Sequence, residues 1–100
     1  MAYEADLEKW CREQTVKSGG YLLKCVSPGN KGVPDRILLW PYCAIFVEFK
    51  APKKDLEPLQ EVWAKRIKYK MHLPHFVVRT KEEFLSVMTY ANGVAHKAAR

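Results

Sequence analysis

Residues 43–50 constrain this chain most, because an apolar run there ends in two opposite charges. The run reads Cys-Ala-Ile-Phe-Val-Glu-Phe-Lys and has the make-up of a β-strand. Side chains alternate between the faces of a strand, so Glu48 and Lys50 share a face with Ala44 and Phe46. Burying charge beside a core is costly unless a partner charge or a metal ion compensates it. The pair Glu48 and Lys50 therefore requires a compensating partner.

The composition suits one small intracellular domain. One hundred residues with 48% hydrophobic content can form a single thin core, which a partner subunit would help to bury. No apolar run approaches the ~20 residues that span a bilayer, so no membrane contact is expected. The acidic start of the chain does not resemble a signal peptide. We expect a protein that is not secreted and works in the cytoplasm, with its three cysteines as reduced thiols.

The charge balance favours a polyanionic partner. The net charge is +6 and the pI is near 9.3, which favours nucleic acid through phosphate contacts and counterion release. A basic surface kept for solubility is an equal alternative on charge alone. Clusters of lysine at residues 50–54 and 65–70 favour nucleic acid. The candidate contact residues are Lys31, Lys53, Lys54, Lys65 and Lys68.

Hydrophobic periodicity and turn residues predict seven elements in the order α-β-β-β-α-β-α. The predicted bounds are a helix from Tyr3 to Val16, strands at 21–26, 36–40 and 43–50, a helix from Pro58, a strand at 75–79, and a helix from Thr80 to about Tyr90. Asn92-Gly93 is expected to end that helix and to close a domain of residues 1–93. Residues 94–100 are then a frayed basic tail.

Two helical patterns and one hairpin predict where the acidic residues and Gln60 lie. Pro41-Tyr42 joins two antiparallel strands, so Asp35 is expected to approach Glu48. On the first helix, Glu4 lies at the edge of the apolar stripe, whereas Glu8 lies further toward solvent. On the helix after Pro58, the predicted core stripe is Leu59, Val62, Trp63 and Ile67, with the amide of Gln60 facing inward.

Three motifs together resemble a known family of nucleases. They are Ser27-Pro-Gly-Asn-Lys-Gly-Val-Pro-Asp-Arg36, Val47-Glu-Phe-Lys-Ala-Pro52 and Leu59-Gln60-x-x-Trp63. Their order and spacing are similar to those of the VRR-NUC branch of the PD-(D/E)xK superfamily, in its small stand-alone viral or bacterial form. The resemblance runs from about Tyr3 to Leu85. It implies an α/β fold of the restriction-endonuclease type, with a central mixed sheet flanked by helices.

The resemblance also implies a metal-dependent site. Asp35, Glu48 and the backbone carbonyl of Phe49 would hold Mg²⁺ or Mn²⁺, since hard oxygen ligands suit these ions. Glu4 is the expected ligand from the first helix, although an ordinary acid in a helix's first turns is the alternative. Lys50 would activate water and stabilise charge. Gln60 would support the site, or be a boundary amide bonded to backbone.

The implied function is a structure-selective DNA endonuclease without an organic cofactor. Small stand-alone relatives are similar to Holliday-junction resolvases of DNA recombination and repair, which act as homodimers. Apolar side chains of the last helix hint at the subunit interface, although core burial explains them equally; they are Leu85, Val87, Met88 and Tyr90. The alternatives are a flap or non-specific nuclease, a non-catalytic nucleic-acid-binding module, and a small RNA-binding basic protein.

Overall fold

A computed structural model describes residues 2–99. The elements are α1 (Ala2–Lys17), β1 (Tyr21–Lys24), β2 (Arg36–Trp40), β3 (Cys43–Phe49), α2 (Pro58–Lys65) continuing into a π-helical turn (Arg66–Lys70), β4 (His75–Val78) and α3 (Lys81–Ala98). This order confirms the sequence prediction. None of the described helices is long and apolar enough to cross a membrane.

The four strands form one mixed sheet in the order β1-β2-β3-β4. β1, β2 and β3 are antiparallel neighbours, and β4 pairs in parallel with β3. Parallel neighbours require a crossover connection, which α2 and the π-helical turn provide. The sheet is therefore mixed and has helices packed against it, as the resemblance implied.

The hydrophobic core lies between one face of the sheet and the helices α1 and α3. Its buried side chains include Leu7 and Cys11 of α1, Leu22, Leu38, Ile45, Val47 and Val78 of the sheet, and Phe84, Val87 and Ala91 of α3. The strand residues among them alternate along the chain, as one face of a sheet requires. Burial raises the pKa of the Cys11 thiol to about 12, and the three cysteines are unpaired within residues 2–99.

Helix α2 exposes part of the stripe that its sequence predicted to be buried. Leu59 and Val62 are exposed and Trp63 is half-buried, whereas Ala64 and Ile67 are buried. This helix covers only a small part of the sheet. A narrow stripe of two residues, Ala64 and Ile67, is therefore enough to form its contact with the core. The prediction for Leu59 and Val62 was therefore wrong, and Lys65 of α2 and Lys68 of the π-helical turn are exposed.

Helix α3 continues through Asn92-Gly93, contrary to the predicted stop. The side-chain carbonyl of Asn92 accepts a hydrogen bond of 3.0 Å from the indole N–H of Trp40. Ala91 is fully buried and Ala95 packs against the core. These tertiary contacts hold the helix together beyond the stop signal. Residues 94–98 are thus helical rather than a frayed tail, and Arg100 lies outside the described residues.

Candidate active site

Asp35 lies directly opposite Glu48 when the β2–β3 ladder is continued by one residue. The last paired residues are Arg36 and Val47, and the register is constant along the whole hairpin. Directly opposite residues in an antiparallel pair have side chains on the same face, about 5 Å apart at Cβ. The carbonyl of Asp35 also accepts a 2.8 Å hydrogen bond from the Cys25 N–H, which holds the backbone there. The predicted approach of Asp35 to Glu48 is confirmed.

Burial dominates the electrostatics of this carboxylate pair. Glu48 is only 4% exposed, and burial together with the charge of Asp35 raises the pKa of Glu48 to about 8. Burial likewise raises the pKa of Asp35, against the opposing charge of Arg36. Oδ1 of Asp35 is buried without a hydrogen-bond partner among the described residues. A buried carboxyl group beside a half-exposed one that has an unpartnered oxygen forms a donor set that fits a hard divalent cation.

The main chain at Phe49 offers a further oxygen. The N–H groups of Phe46 and Lys50 donate to the carbonyls of Pro74 and Val78 at the β4 side. Peptide groups alternate along a strand, so that of Phe49 points to the β2 side instead. Continuing the ladder places Pro34 opposite Phe49, and proline has no N–H to donate. The Phe49 carbonyl is therefore suited to bind a cation next to Asp35 and Glu48.

A cleft of about 500 Å³ opens beside Asp35, and α1 forms its other wall. Asp35, Arg36 and Phe49 line it together with Glu4 and Glu8 of α1. One carboxylate oxygen of Glu4 accepts a 2.8 Å hydrogen bond from the Ala51 N–H. The negative charge of Glu4 contributes to the raised pKa of Asp35. Glu4 thus borders the site as predicted, but one of its oxygens is committed to the backbone.

Glu8 does not face solvent, which corrects the helical-wheel prediction. Its side chain is 15% exposed and forms a 2.9 Å ion pair with Nε of Arg36, which is itself 18% exposed. Nη1 of Arg36 donates to the Asp35 carbonyl at 2.9 Å and lies 3.5 Å from the Asp35 carboxylate. Arg36 of β2 therefore links α1 to Asp35. The sequence signal for this link was an arginine that shares its strand face with the apolar residues Leu38 and Trp40.

The grouping of acids is looser than a complete metal site. Across residues 2–99, no three His, Cys, Asp or Glu side chains are close enough to hold a metal ion together. The structure brings Asp35 and Glu48 together and leaves Glu4 on the Ala51 amide. A cation bound here would thus rely on two carboxylates, the Phe49 carbonyl and water.

The remaining predicted residues lie around this pair. Lys50 directly follows β3, is half-buried, and its positive charge opposes the raised pKa of Glu48. Gln60 accepts a 2.8 Å hydrogen bond from the Glu57 N–H and completes a capping box at the start of α2. That contact matches the boundary-amide alternative. The side chains of Lys31, Lys53, Lys54, Lys65 and Lys68 are all exposed.

Comparisons with known proteins agree with this architecture. A solved structure described as a VRR_NUC domain superposes with a TM-score of 0.79 and 25% sequence identity, covering 87% of this chain and 95% of the other. A protein of Acyrthosiphon pisum secondary endosymbiont phage 1, named "Putative nuclease p44", is 45% identical over 58 residues. That match spans 57% of this chain and 62% of the phage protein. No family model matches the sequence.

The fold and the site define a restriction-endonuclease-like α/β domain with an acidic cleft at the end of its central hairpin. Within that class, the similarity to the VRR_NUC domain and to the phage protein supports the VRR-NUC type that the motifs around Asp35 and Glu48 indicated. The recognition made from sequence is confirmed.

Proposed function

We propose that this chain is a metal-dependent endonuclease that hydrolyses phosphodiester bonds in DNA. The observation that carries the proposal is the juxtaposition of the buried Glu48 with the half-exposed Asp35, which lines an open cleft and whose Oδ1 has no hydrogen-bond partner among the described residues. The positive charge of Lys50 acts on Glu48 and opposes the rise of its pKa. The VRR-NUC fold and the nuclease name of the phage relative support the same activity.

The residues of the site divide the work of hydrolysis. A bound Mg²⁺ or Mn²⁺ supplies charge neutralisation at the phosphate and a lowered pKa for water. Asp35, Glu48 and the Phe49 carbonyl would hold that ion. Lys50 would orient or deprotonate the attacking water and stabilise the negative charge that develops on the phosphate. Arg36 keeps the Asp35 backbone in place through the bond to its carbonyl.

The basic surface supports DNA as the substrate. The chain carries a net charge of +6, and the lysines that follow the site and the lysines of α2 are exposed. Phosphate contacts position a protein on DNA without reading bases. One small domain has little room for a base-reading element, so recognition of DNA structure is more suitable than recognition of a sequence. The phage relative is consistent with work in the cytoplasm of a bacterial or phage-infected cell.

An exposed apolar strip supports action as a homodimer on four-way junctions. Tyr21, Leu39 and Ala44 are cross-strand neighbours on the sheet face away from the core, and all three are exposed. Leu23 extends this strip by one row. Apolar patches on a sheet face often mark interaction sites, and a second copy would bury this one. A twofold dimer would cut opposite strands symmetrically, which a resolvase requires.

The last helix contributes less to such an interface than its sequence indicated. Val87 is buried in the core and Met88 packs against it, so core burial explains both. Leu85 and Tyr90 remain exposed, and the ring of Tyr90 lies 5.3 Å from that of Phe76. We therefore assign the sheet strip, rather than α3, as the proposed subunit contact.

The test is a cleavage assay with Mg²⁺ or Mn²⁺ on a labelled four-way junction, a flap, a linear duplex and single-stranded DNA. The expected result is paired incision of the junction that disappears in Lys50→Ala. Lys17→Ala, which removes an exposed lysine at the end of α1, is the matched control and should cut normally. Cleavage of flaps or linear DNA alone would retain the nuclease and reject the resolvase. Binding without cleavage would favour a non-catalytic module.

A further inference from the structure

The turn that follows Lys50 is exposed, yet its backbone is held at both ends. The N–H of Lys54 donates to the Ala51 carbonyl at 3.2 Å, which closes a four-residue turn. Pro52 occupies its second position, and Lys53 occupies its third with φ +66°. A positive φ at the third position is the signature of a type II turn, where glycine or asparagine is usual. Lys53 therefore adopts a left-handed conformation that a lysine side chain disfavours.

Side chains from two parts of the fold, α1 and the end of β4, fasten this turn. The guanidinium of Arg79, just after β4, donates to the Lys54 carbonyl through Nε at 3.1 Å and Nη2 at 2.7 Å. Glu4 of α1 accepts the Ala51 N–H at 2.8 Å. The hydroxyl of Tyr3 donates to the Arg79 carbonyl at 2.6 Å. A forked contact from arginine restricts the carbonyl that it grips more than a single hydrogen bond does.

Arg79 is itself fixed from the far side. Its backbone N–H donates to the Glu83 carboxylate at 2.7 Å, and Glu83 lies in the first turn of α3. The N–H of Glu83 in turn donates to the side chain of Thr80, the N-cap of that helix. The turn is thus connected to α1, β4 and α3. Such restraint reduces the entropy lost when a ligand orders an exposed loop.

We propose that this fastened turn is a preordered phosphate-binding arm. In it, Lys53 and Lys54 contact the DNA backbone next to the phosphodiester bond that is cut at Asp35 and Glu48. Arg79 is a positioning residue that acts through the Lys54 carbonyl. The arm belongs to the proposed nuclease site and rests on that function. Its chemistry is that of two exposed ammonium groups a few residues beyond Lys50, which suits phosphate oxygens rather than base edges.

Lys53→Gly separates charge from conformation, because glycine adopts a positive φ without strain. Binding of a labelled four-way junction in EDTA should weaken roughly fivefold, and the slope of log affinity against log salt should fall by about 0.9, as for one lost phosphate contact. The thermal unfolding midpoint should not fall. Lys17→Ala is the control. Glu4 near the start of α1 contacts the turn, and Lys17 ends that helix, so Lys17 lies about 20 Å from the turn. Unchanged affinity and salt slope in Lys53→Gly would overturn the arm.

A double-mutant cycle tests the positioning role of Arg79. Arg79→Ala should weaken DNA binding in the otherwise unchanged protein and add little in the Lys53→Gly, Lys54→Ala background, where no arm remains to be positioned. Arg79→Lys, which cannot fork onto the carbonyl, should restore little. Fully additive losses would show that Arg79 contacts DNA by itself and would overturn its assigned role.

Failure of the arm and failure of the nuclease are distinguishable. DNA binding is measured in EDTA, without turnover, and cleavage is measured separately with Mn²⁺. Normal DNA affinity in Lys53→Gly with Lys50-dependent cleavage would reject the arm and retain the nuclease. A wild-type protein that neither binds nor cuts DNA would overturn both.

Discussion

Asp35 lies opposite Glu48 across the β2–β3 hairpin, and its charge adds to burial in raising the pKa of Glu48 to about 8. A carboxylate pair held this way is costly to ionise in the absence of a compensating cation. The same pair becomes favourable once a cation neutralises it. The site therefore couples the stability of the fold to protonation and to metal binding.

The metal-free protein should lose stability as pH rises from about 4.5 to about 8. Glu48 ionises near its ordinary value of 4.5 when unfolded but keeps its proton to about 8 when folded, so the folded state binds more protons in this window. Glu48→Gln should flatten this dependence and leave the protein more stable at pH 8. Urea unfolding in EDTA at several pH values measures it. Glu13→Gln, at an exposed position of α1, should retain the wild-type slope.

Added Mn²⁺ should reverse that dependence. The cation requires both carboxyl groups to be ionised, so its affinity should rise between pH 6 and pH 8. At a hundredfold excess over its dissociation constant, a ligand specific to the folded state adds about 2.7 kcal/mol to the free energy of unfolding. Thermal unfolding with and without Mn²⁺ measures the shift. An equal shift in Asp35→Asn would place the cation elsewhere.

Arg36→Ala should destabilise the fold by about 2 kcal/mol, since it leaves the mostly buried Glu8 without its paired cation. Arg12→Ala is a matched control, because Arg12 also faces Glu8, at 4.0 Å, but is 52% exposed. An exposed ion pair of that kind contributes less than about 1 kcal/mol. Chemical denaturation of both variants measures the difference. Equal losses would contradict the bridging role of Arg36.

Gly93→Ala should stabilise the protein by about 0.5–1 kcal/mol. Gly93 lies inside α3, and a Cβ atom there would meet nothing within 4 Å. Alanine is favoured over glycine in a helix interior by roughly that amount. Thermal unfolding measures the effect. Gly20→Ala is the contrasting variant, because its Cβ would lie 2.7 Å from the Leu39 carbonyl and from the Trp40 ring. A destabilising Gly93→Ala would argue against a continuous α3.

Leu39→Lys should convert the proposed dimer into a monomer. It places a charge in the apolar strip formed with Tyr21 and Ala44, and two copies meeting there would bury that charge. Sedimentation equilibrium of the metal-free protein measures the mass. Leu85→Lys, at an exposed position of α3, should remain a dimer. A monomeric wild type, or a dimeric Leu39→Lys, would reject the strip as the interface.

Local sequence signals predicted the central hairpin and its acids correctly. Alternation of apolar residues in β2 and β3 specifies which side chains share a face, and the short turn at Pro41-Tyr42 sets the register. Together they place Asp35 beside Glu48 without further information. The element order followed for the same reason, since each element has its own period and its own boundary residues.

Contacts between distant segments decided the features that local patterns predicted wrongly. Glu8 is turned inward by Arg36, 28 residues away, and α3 passes Asn92 because Trp40, 52 residues away, bonds its side chain. A local sequence pattern does not identify such partners, because they come into contact only when the sheet and helices pack together. The chain's own residues thus determined the strands, their register and the acidic pair. Tertiary packing decided where α3 ends, which acid of α1 pairs with Arg36, and how Arg79 holds the turn beside the site.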